Sequence, residues 1–589
     1  MLLFLFSVLF WKASGEVYSS YNNVKEINTI ENDLVKLLGD YISAERDRLN
    51  ILDRFHQYVK DSKNYTEPDS YISYPTNQFN VIHRFVADWN NLQDWTNSRN
   101  EAISSAYDAY RESFPDQNDV KGAIKAIHRL QDIYKIRAGH FSRGDPLGPG
   151  VEGLLRGQPF NVKALLLFIK DAYENEQWYK CVGWGQQAYS LLQTEQGHDP
   201  TSDLWFDISD HFAFCLYKTG AIEHAMEVTT ALLIHYPHHE RLIANLNYFN
   251  SLVAKGKVVI DESRDKRSVV DQPVESLAKG SEAEDVEITF IPKLYPGADG
   301  VELTEEQIQV DIQDKDYKKW GEKVKKYQKL CKESPPLTPK IKQQIERLTC
   351  YYKQDTPRSY LKPIKVEVVW PSPRVMMFYD IISNEEAEIL MSLAQPHLNR
   401  ATVHNKNTGK LENADYRVSK TAWLDVDIPE DKEGIVRRVN RRMEDATELS
   451  HDYAELQQMN NYGMAGQYEP HYDMATRDEK AFSDHDGGNR VATLLFYMGD
   501  TEAGGATVFV DGGARIAPIK NAAVFWYNLL PSGDPDLLTR HAGCPVLAGT
   551  KWVMNKWFHV NDQIFTRPCD LDQFRREKDA KLYNGKYTI

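Results

Sequence analysis

The 589-residue sequence has no apolar run long enough to cross a bilayer, no excess of basic charge and only six cysteines. Each shortage removes a class of function. A spanning helix needs about 20 apolar residues, and the opening run "MLLFLFSVLF" falls well short of that, with no later candidate. A formal charge of −15, from 85 acidic against 70 basic residues, leaves no global footprint for nucleic acid. The opening run also lacks a basic residue before Lys12. It nevertheless ends in Ala13-Ser14-Gly15, the small-x-small pattern of a signal-peptidase site, so cleavage after Gly15 and secretion are expected. What remains is 42% hydrophobic, enough to fill about three or four domains.

Entry to an oxidising compartment would let the few cysteines pair. Cys331 and Cys350 close a short loop in a lysine-rich helical stretch, and Cys544 and Cys569 flank the last strands, so these are the expected pairs. Cys181 and Cys215 fall in apolar helical segments and read as buried thiols. Asn64-Tyr65-Thr66 is the one glycosylation sequon, meaningful on a secreted chain.

Four kinds of text follow one another. Residues 16–145 are helical, and Leu34, Leu37, Tyr41, Ala44, Arg48, Ile51, Phe55 and Tyr58 follow steps of three and four. That is a coiled-coil seam with one charged position, or equally an ordinary core helix. Residues 146–255 are helical again, and "FCLYKTGAIEHAMEVTTALLIHYP" reads like one tetratricopeptide unit. Tyr217, Gly220, Ala225 and Pro237 fall where two antiparallel helices need a bulky contact, a turn, a small crossing residue and a stop. Arg241, Asn245 and Tyr248 share one face of the next helix. Such a face could hold peptide carbonyls and pack a ring on proline, or be merely solvated. Residues 256–315 are polar and aperiodic, a linker, and 316–360 form a helical segment around Cys331 and Cys350.

From 361 to 565 the vocabulary turns to short β-rich runs separated by Gly, Asn, Asp and Pro, with a capping box, Ser383 and Glu386, opening an intervening helix. The set predicts a double-sheet jelly roll, followed by a tail at 566–589. In "GQYEPHYDMA", His471 and Asp473 would share one face of a strand. A chain with 17 histidines holds such a triplet about once by chance, so a third ligand is required. His541, on a late strand that a jelly roll lays beside an early one, is the candidate. Two histidines and a carboxylate suit a ferrous facial triad, and zinc would accept the same set. In "TKWVMNKWFH", alternation puts Lys551, Val553, Asn555 and Trp557 on one face. An inward ammonium is of use to a dicarboxylate that chelates iron at its other end, although most strand lysines are solvated.

The motifs "ATVHNKNTGKL", "YRVSKTAWL", "NYGMAGQYEPHYD", "GNRVATLLFYM", "AGGATVF", "AVFWYNL" and "RHAGCPVLAGTKWVMNKW" stand together and in order. With the helical text before them, the chain resembles the α subunits of animal procollagen prolyl 4-hydroxylases, in the iron(II) and 2-oxoglutarate-dependent dioxygenase superfamily. The resemblance implies His471, Asp473 and His541 as iron ligands and Lys551 as partner of the distal 2-oxoglutarate carboxylate. Tyr462, Thr493 and Trp557 are implied beside that co-substrate. Tyr468, Arg417 and Trp423 match motifs lining the peptide groove, and Arg241, Asn245 and Tyr248 match the face of a peptide-binding domain at 146–255. The implied reaction couples decarboxylation of 2-oxoglutarate to succinate with O2-dependent hydroxylation at C4 of a peptidyl proline in collagen repeats, with L-ascorbate rescuing oxidised iron. It implies dimerisation through the helical region 16–145, a tetramer of two such α subunits with two protein disulfide isomerase subunits, procollagen as substrate, and the endoplasmic reticulum lumen. The ending "GKYTI" is no retrieval signal, so the partner would supply retention. Two alternatives stand beside this: the same chemistry on a non-collagen secreted protein or on lysine, the tetratricopeptide-like text speaking against lysine, and a scaffold with a degenerate site, against which all four iron and lysine positions are filled.

Overall fold

The computed structural model describes residues 42–43, 46–62, 71–92, 117–146, 157–194, 199, 201–254, 315–334, 338–404, 411–413, 417–476, 482, 486–571, 581–583 and 586–588. The expected leader, the sequon at Asn64 and all of the expected linker but Lys315 lie outside them, as do Leu34, Leu37, Tyr41 and Ala44 of the seam. The chain divides into two units. The described part of the first, within 42–62 and 84–92, is helical from 46 to 61. There Phe55 meets Trp89 edge-on at 5.2 Å, while Ile51 and Tyr58 of the seam are exposed.

The second unit holds everything else. Helix α1 (Pro75–His83) and the long α2 (Gln117–Tyr134) precede five helices packed as successive hairpins: α3 (Val162–Glu174), α4 (Trp178–Thr194), α5 (Asp203–Lys218), α6 (Ile222–His235) and α7 (Glu240–Ala254). Side-chain oxygens of Asn161 and Ser202 cap α3 and α5, satisfying amides that the first helical turn leaves open. Gly220, at φ +85°, makes the α5–α6 turn, and the fully buried Ala225 lets the helices cross. The tetratricopeptide-like hairpin read from the sequence is thus present.

Helix α8 (Lys315–Lys332) leads to an antiparallel sheet domain. The strands of its two larger sheets are β1 (Cys350–Lys353), β2 (Ile364–Pro371), β3 (Arg374–Tyr379), β4 (Asn399–Arg400), β5 (Lys420–Leu424), β6 (Gln457–Tyr462), β7 (Tyr468–His471), β8 (Arg490–Tyr497), β9 (Thr507–Phe509), β10 (Ala514–Ile516), β11 (Ala523–Tyr527), β12 (His541–Gly543) and β13 (Lys551–His559). Nine form one sheet in the order β1-β2-β3-β11-β8-β13-β6-β5-β4, and four form the facing sheet β10-β9-β12-β7. Alternation sorts the two faces. Leu494, Phe496, Met554 and Phe558 point to a core shared with α9 (Asn384–Ala394) and α10 (Ile435–Thr447), whereas Leu495, Tyr497 and Val553 point to a second core with Phe509 and Ile516 of the small sheet. Each fully buried Leu or Phe there contributes about 1.5–3 kcal/mol. The Ser383–Glu386 capping box forms as read, and Glu386 also pairs with Arg442 of α10 at 2.7 Å.

The cysteines pair differently from expectation. Cys331 bonds Cys544 across 213 residues, and Cys181 bonds Cys215, while Cys350 and Cys569 are exposed and unbridged. The reason is tertiary. Cys350 opens β1 at the edge of the large sheet, whereas α8 carries Cys331 onto the small sheet beside β12, into a core with Ile133, Val508 and Ala542. Cys181 and Cys215 are fully buried where α4 and α5 touch, with Cα atoms 6.0 Å apart, so proximity turns two expected thiols into a staple.

Candidate active site

Strand register assembles the site. His541, first in β12, pairs directly with His471, last in β7, and Asp473 stands two residues beyond in the chain turn that leaves the strand. One ligand atom from each of the three lies within 4.8 Å of the others. Both imidazole Nε2 atoms sit 3.6 Å from an Asp473 oxygen. The opposite ring nitrogens are occupied: His471 Nδ1 is 2.7 Å from the Glu469 carbonyl and His541 Nδ1 is 3.0 Å from that of Thr539. A carbonyl can only accept, so each Nδ1 carries a proton and each Nε2 is turned to the common point.

Asp473 and His541 are buried. Burial opposes ionisation of Asp473, but the two histidines beside it and the more distant Arg490 outweigh that and hold its carboxyl well below the usual range. Burial pushes the His541 imidazole down to about 4, which keeps it neutral as a ligand must be. The carboxylate is braced as well. Thr493 donates to Asp473 Oδ2 at 2.7 Å and accepts from Asn528 Nδ2 at 2.9 Å, and Asn528 Oδ1 accepts from Trp526 Nε1 at 2.8 Å. Arg490, doubly bonded to Glu455, reaches the Asp473 carbonyl at 3.3 Å. Two imidazole Nε2 atoms and a braced carboxylate on one side of a point are a donor set that fits a divalent iron with positions left open.

Two residues along β12 from His541, at Gly543, stands a second pair of buried polar side chains. Lys551 pairs in register with Tyr462, its ammonium 5.2 Å from the phenol ring. It is buried, and no carboxylate among the described residues pairs with it, so desolvation pushes its ammonium down to about 7. Gly543 completes the recess: a Cβ added there would stand 3.8 Å from both Lys551 Nζ and Tyr462 Oη. A buried ammonium and phenol converging on a space that a glycine keeps clear fit a carboxylate. Burial raises the Tyr462 hydroxyl, which stays protonated as a donor.

Aromatic side chains line the approach. Tyr468 stacks on the His471 ring at 3.5 Å, and Arg417 lies over Tyr468 at 4.9 Å while donating to Gln458 and Asn460. Trp557, paired with Thr493 across the strands, lies under Arg490 at 3.8 Å and leads at 6.2 Å to Trp423, which is 44% exposed. The structure therefore gathers His471, Asp473, His541, Thr493, Tyr462, Lys551, Trp557, Tyr468, Arg417 and Trp423 into the sheet domain. Arg241, Asn245 and Tyr248 belong to α7 of the hairpins. Arg241 pairs with Asp210 at 2.9 Å, and the half-exposed Tyr248 meets Tyr217 edge-on at 5.7 Å, extending an aromatic row through Phe214 to Tyr173. That face is neither plainly solvated nor buried. The Thr493 hydroxyl, expected beside the co-substrate, bonds the Asp473 carboxylate. Asn528 and Gly543 were not anticipated, because only register and close approach reveal them.

Fold and site define a jelly-roll centre for one metal ion with an adjoining carboxylate pocket, and comparison with known proteins agrees. Family models match in three places: the N-terminal region of the prolyl 4-hydroxylase alpha-subunit at residues 20–148, the prolyl 4-hydroxylase peptide-substrate-binding domain at 165–255, and the 2OG-Fe(II) oxygenase superfamily at 457–559. Among relatives, prolyl 4-hydroxylase subunit alpha-2 of Gallus gallus is 36% identical over 581 residues, 97% of this chain and 98% of the relative. Subunit alpha-1 of Homo sapiens is 36% identical over 564 residues, covering 94% and 96%, and subunit alpha-2 of Caenorhabditis elegans 35% over 571, covering 95% and 94%. The chain belongs to the prolyl 4-hydroxylase α-subunit family.

Proposed function

We propose that the protein hydroxylates C4 of peptidyl proline in collagen-type X-Pro-Gly repeats, with iron(II) held by His471, Asp473 and His541 and 2-oxoglutarate held by Lys551. The observation that carries this reading is a buried lysine with no carboxylate paired to it among the described residues, set beside two imidazoles and a braced carboxylate. Bound iron and 2-oxoglutarate supply the oxidising chemistry, ending in succinate and carbon dioxide. The chain's own work is positional. Lys551 and Tyr462 fix the distal carboxylate, Thr493 and Arg490 hold Asp473, and the Nδ1–carbonyl bonds orient both imidazoles. Trp557 stands beside the co-substrate, and Arg417, Tyr468 and Trp423 line the approach and hold the peptide so that one proline faces the metal, keeping water and other C–H bonds away.

The face built from Arg241, Asn245 and Tyr248 binds a proline-rich stretch of the same substrate, with the tyrosine ring on proline and the polar groups on carbonyls. Tethering a long repeat there raises the local concentration of prolines at the iron. Membership of an α-subunit family supports a companion β subunit; we assign protein disulfide isomerase, in a two-plus-two tetramer in the endoplasmic reticulum lumen, and L-ascorbate as reductant for iron lost to unproductive turnover. No helix among the described residues is long and apolar enough to cross a membrane. The test is direct. The chain co-expressed with protein disulfide isomerase and given a (Pro-Pro-Gly) repeat peptide, iron(II), 2-oxoglutarate and ascorbate should add the mass of one oxygen per modified proline. No gain from a soluble, iron-loaded complex would overturn the substrate assignment.

A further inference from the structure

Helix α2 lies far outside the residues matched by the oxygenase model, yet it reaches the site from behind. Arg129 Nη1 donates to the Ala465 carbonyl at 3.0 Å, and the Tyr134 hydroxyl to that of Pro545 at 2.5 Å. Between them Ile133 is buried against Tyr327 and Leu330 of α8 and Val508 and Ala542 of the small sheet. The same helix grips the peptide-binding hairpins: Asp132 pairs with Lys180 at 2.8 Å, and Gln131 accepts from Trp184 Nε1 at 3.1 Å.

Ala465 sits in the Gly463–Gly466 turn that joins Tyr462, the last residue of β6, to Tyr468, the first of β7. It is fully buried at φ +48°, a left-handed conformation that a non-glycine residue keeps only where its surroundings fix it. Three contacts do so: Gly466 N to Gly463 O at 2.9 Å, Val546 N to Gly466 O at 3.2 Å, and Arg129 on the Ala465 carbonyl itself. His471 has tethers of its own, to His541 through register and to Glu469 O through Nδ1. Tyr462 and Lys551 pair at strand ends, and the turn follows directly on Tyr462, beyond the last rung of the ladder.

We infer that Arg129 is a positioning residue for the co-substrate pocket: by holding the Ala465 carbonyl it sets the turn that keeps Tyr462 against Lys551. The inference rests on the reading of Lys551 and Tyr462 as the 2-oxoglutarate site. It also means that the turn behind the pocket is supported by a helix from the N-terminal region, so that a chain beginning at the sheet domain lacks that support.

The experiment uses the full chain with its co-expressed partner, loaded anaerobically with iron(II) and titrated with 2-oxoglutarate by the visible charge-transfer band of the complex. Arg129→Met, which keeps the packing and removes the donors, should raise the 2-oxoglutarate dissociation constant about tenfold, the usual scale for removing an outer support of a metal site. Arg129→Lys, which still reaches the carbonyl, should stay within about threefold of the parent. Iron content and affinity for a proline-rich peptide should not change, and amide exchange at Gly463–Gly466 should speed up in Arg129→Met alone. Equal constants for the Met and Lys variants would overturn the inference, as would a loss that appears only with loss of iron. Absence of the band in the parent would instead overturn the reading of the pocket, so the two failures are told apart.

Discussion

Replacing Thr493 by valine separates two roles that one hydroxyl could play. The side chain is buried, valine matches its shape and suits a strand, so no cavity forms and the sheet keeps its pairing. What disappears is the bond to Asp473 Oδ2 at 2.7 Å and the acceptor for Asn528 Nδ2 at 2.9 Å. A hydrogen bond to a charged group is worth about 1.5–3 kcal/mol, and an orphaned buried amide donor costs about 1–3 kcal/mol more. Part of this falls on global stability and part on the orientation of the carboxylate, where loss of an outer support typically weakens metal binding about 10–100-fold. Competition with a chelating dye should therefore show iron affinity down by at least about tenfold. Thr493→Ser, which keeps the donor, should remain near the parent. If Thr493 acted only on the co-substrate, iron affinity would stay unchanged and the 2-oxoglutarate requirement would rise; that outcome would refute the reasoning.

Three further outcomes follow from the same geometry. Gly543→Ala sets a methyl group 3.8 Å from Lys551 Nζ and Tyr462 Oη, yet meets backbone no closer than 3.7 Å; thermal unfolding should be unchanged while 2-oxoglutarate affinity falls about tenfold or more, as loss of a hydrogen bond to a charged group, about 1.5–3 kcal/mol, predicts. With the Lys551 ammonium near pH 7 in the free protein, only its charged form pairs with the carboxylate, so the apparent dissociation constant should rise about tenfold from pH 6 to pH 8; a flat profile in binding titrations contradicts this. Tyr248→Ala removes the exposed end of the aromatic row and should weaken binding of a proline-rich peptide by more than about 1 kcal/mol, the scale for truncating an aromatic interface anchor, while sparing 2-oxoglutarate affinity. Unchanged peptide affinity by calorimetry would return that face to the solvent.

The sequence made legible whatever repeats at short period. Alternation in "TKWVMNKWFH" is visible because each strand residue turns its side chain opposite to its neighbour, and of the expected face Lys551, Val553, Asn555 and Trp557 it places Val553 in the core opposite to that of Met554 and Phe558. The Ser383–Glu386 cap and the α5–α6 hairpin were legible for the same reason, being local. Contacts that depend on which elements meet were not. Nothing in the spacing of Cys331 and Cys544 signals that α8 packs on β12, and loop length pointed to nearer partners. Arg129 and Ala465 lie 336 residues apart. Thr493 stood out as a candidate, but its actual partner emerged only once β8 and the Asp473 turn were placed together.

The central claim is that oxidation of proline at the His471–Asp473–His541 centre is coupled to consumption of the molecule bound by Lys551. The most direct measurement counts succinate released and 4-hydroxyproline formed in the same reaction, for the parent and for Asp473→Ala. The account predicts one succinate for each hydroxylated proline in the parent and neither product in the variant. Hydroxyproline without matching succinate, or full turnover by Asp473→Ala, would contradict it.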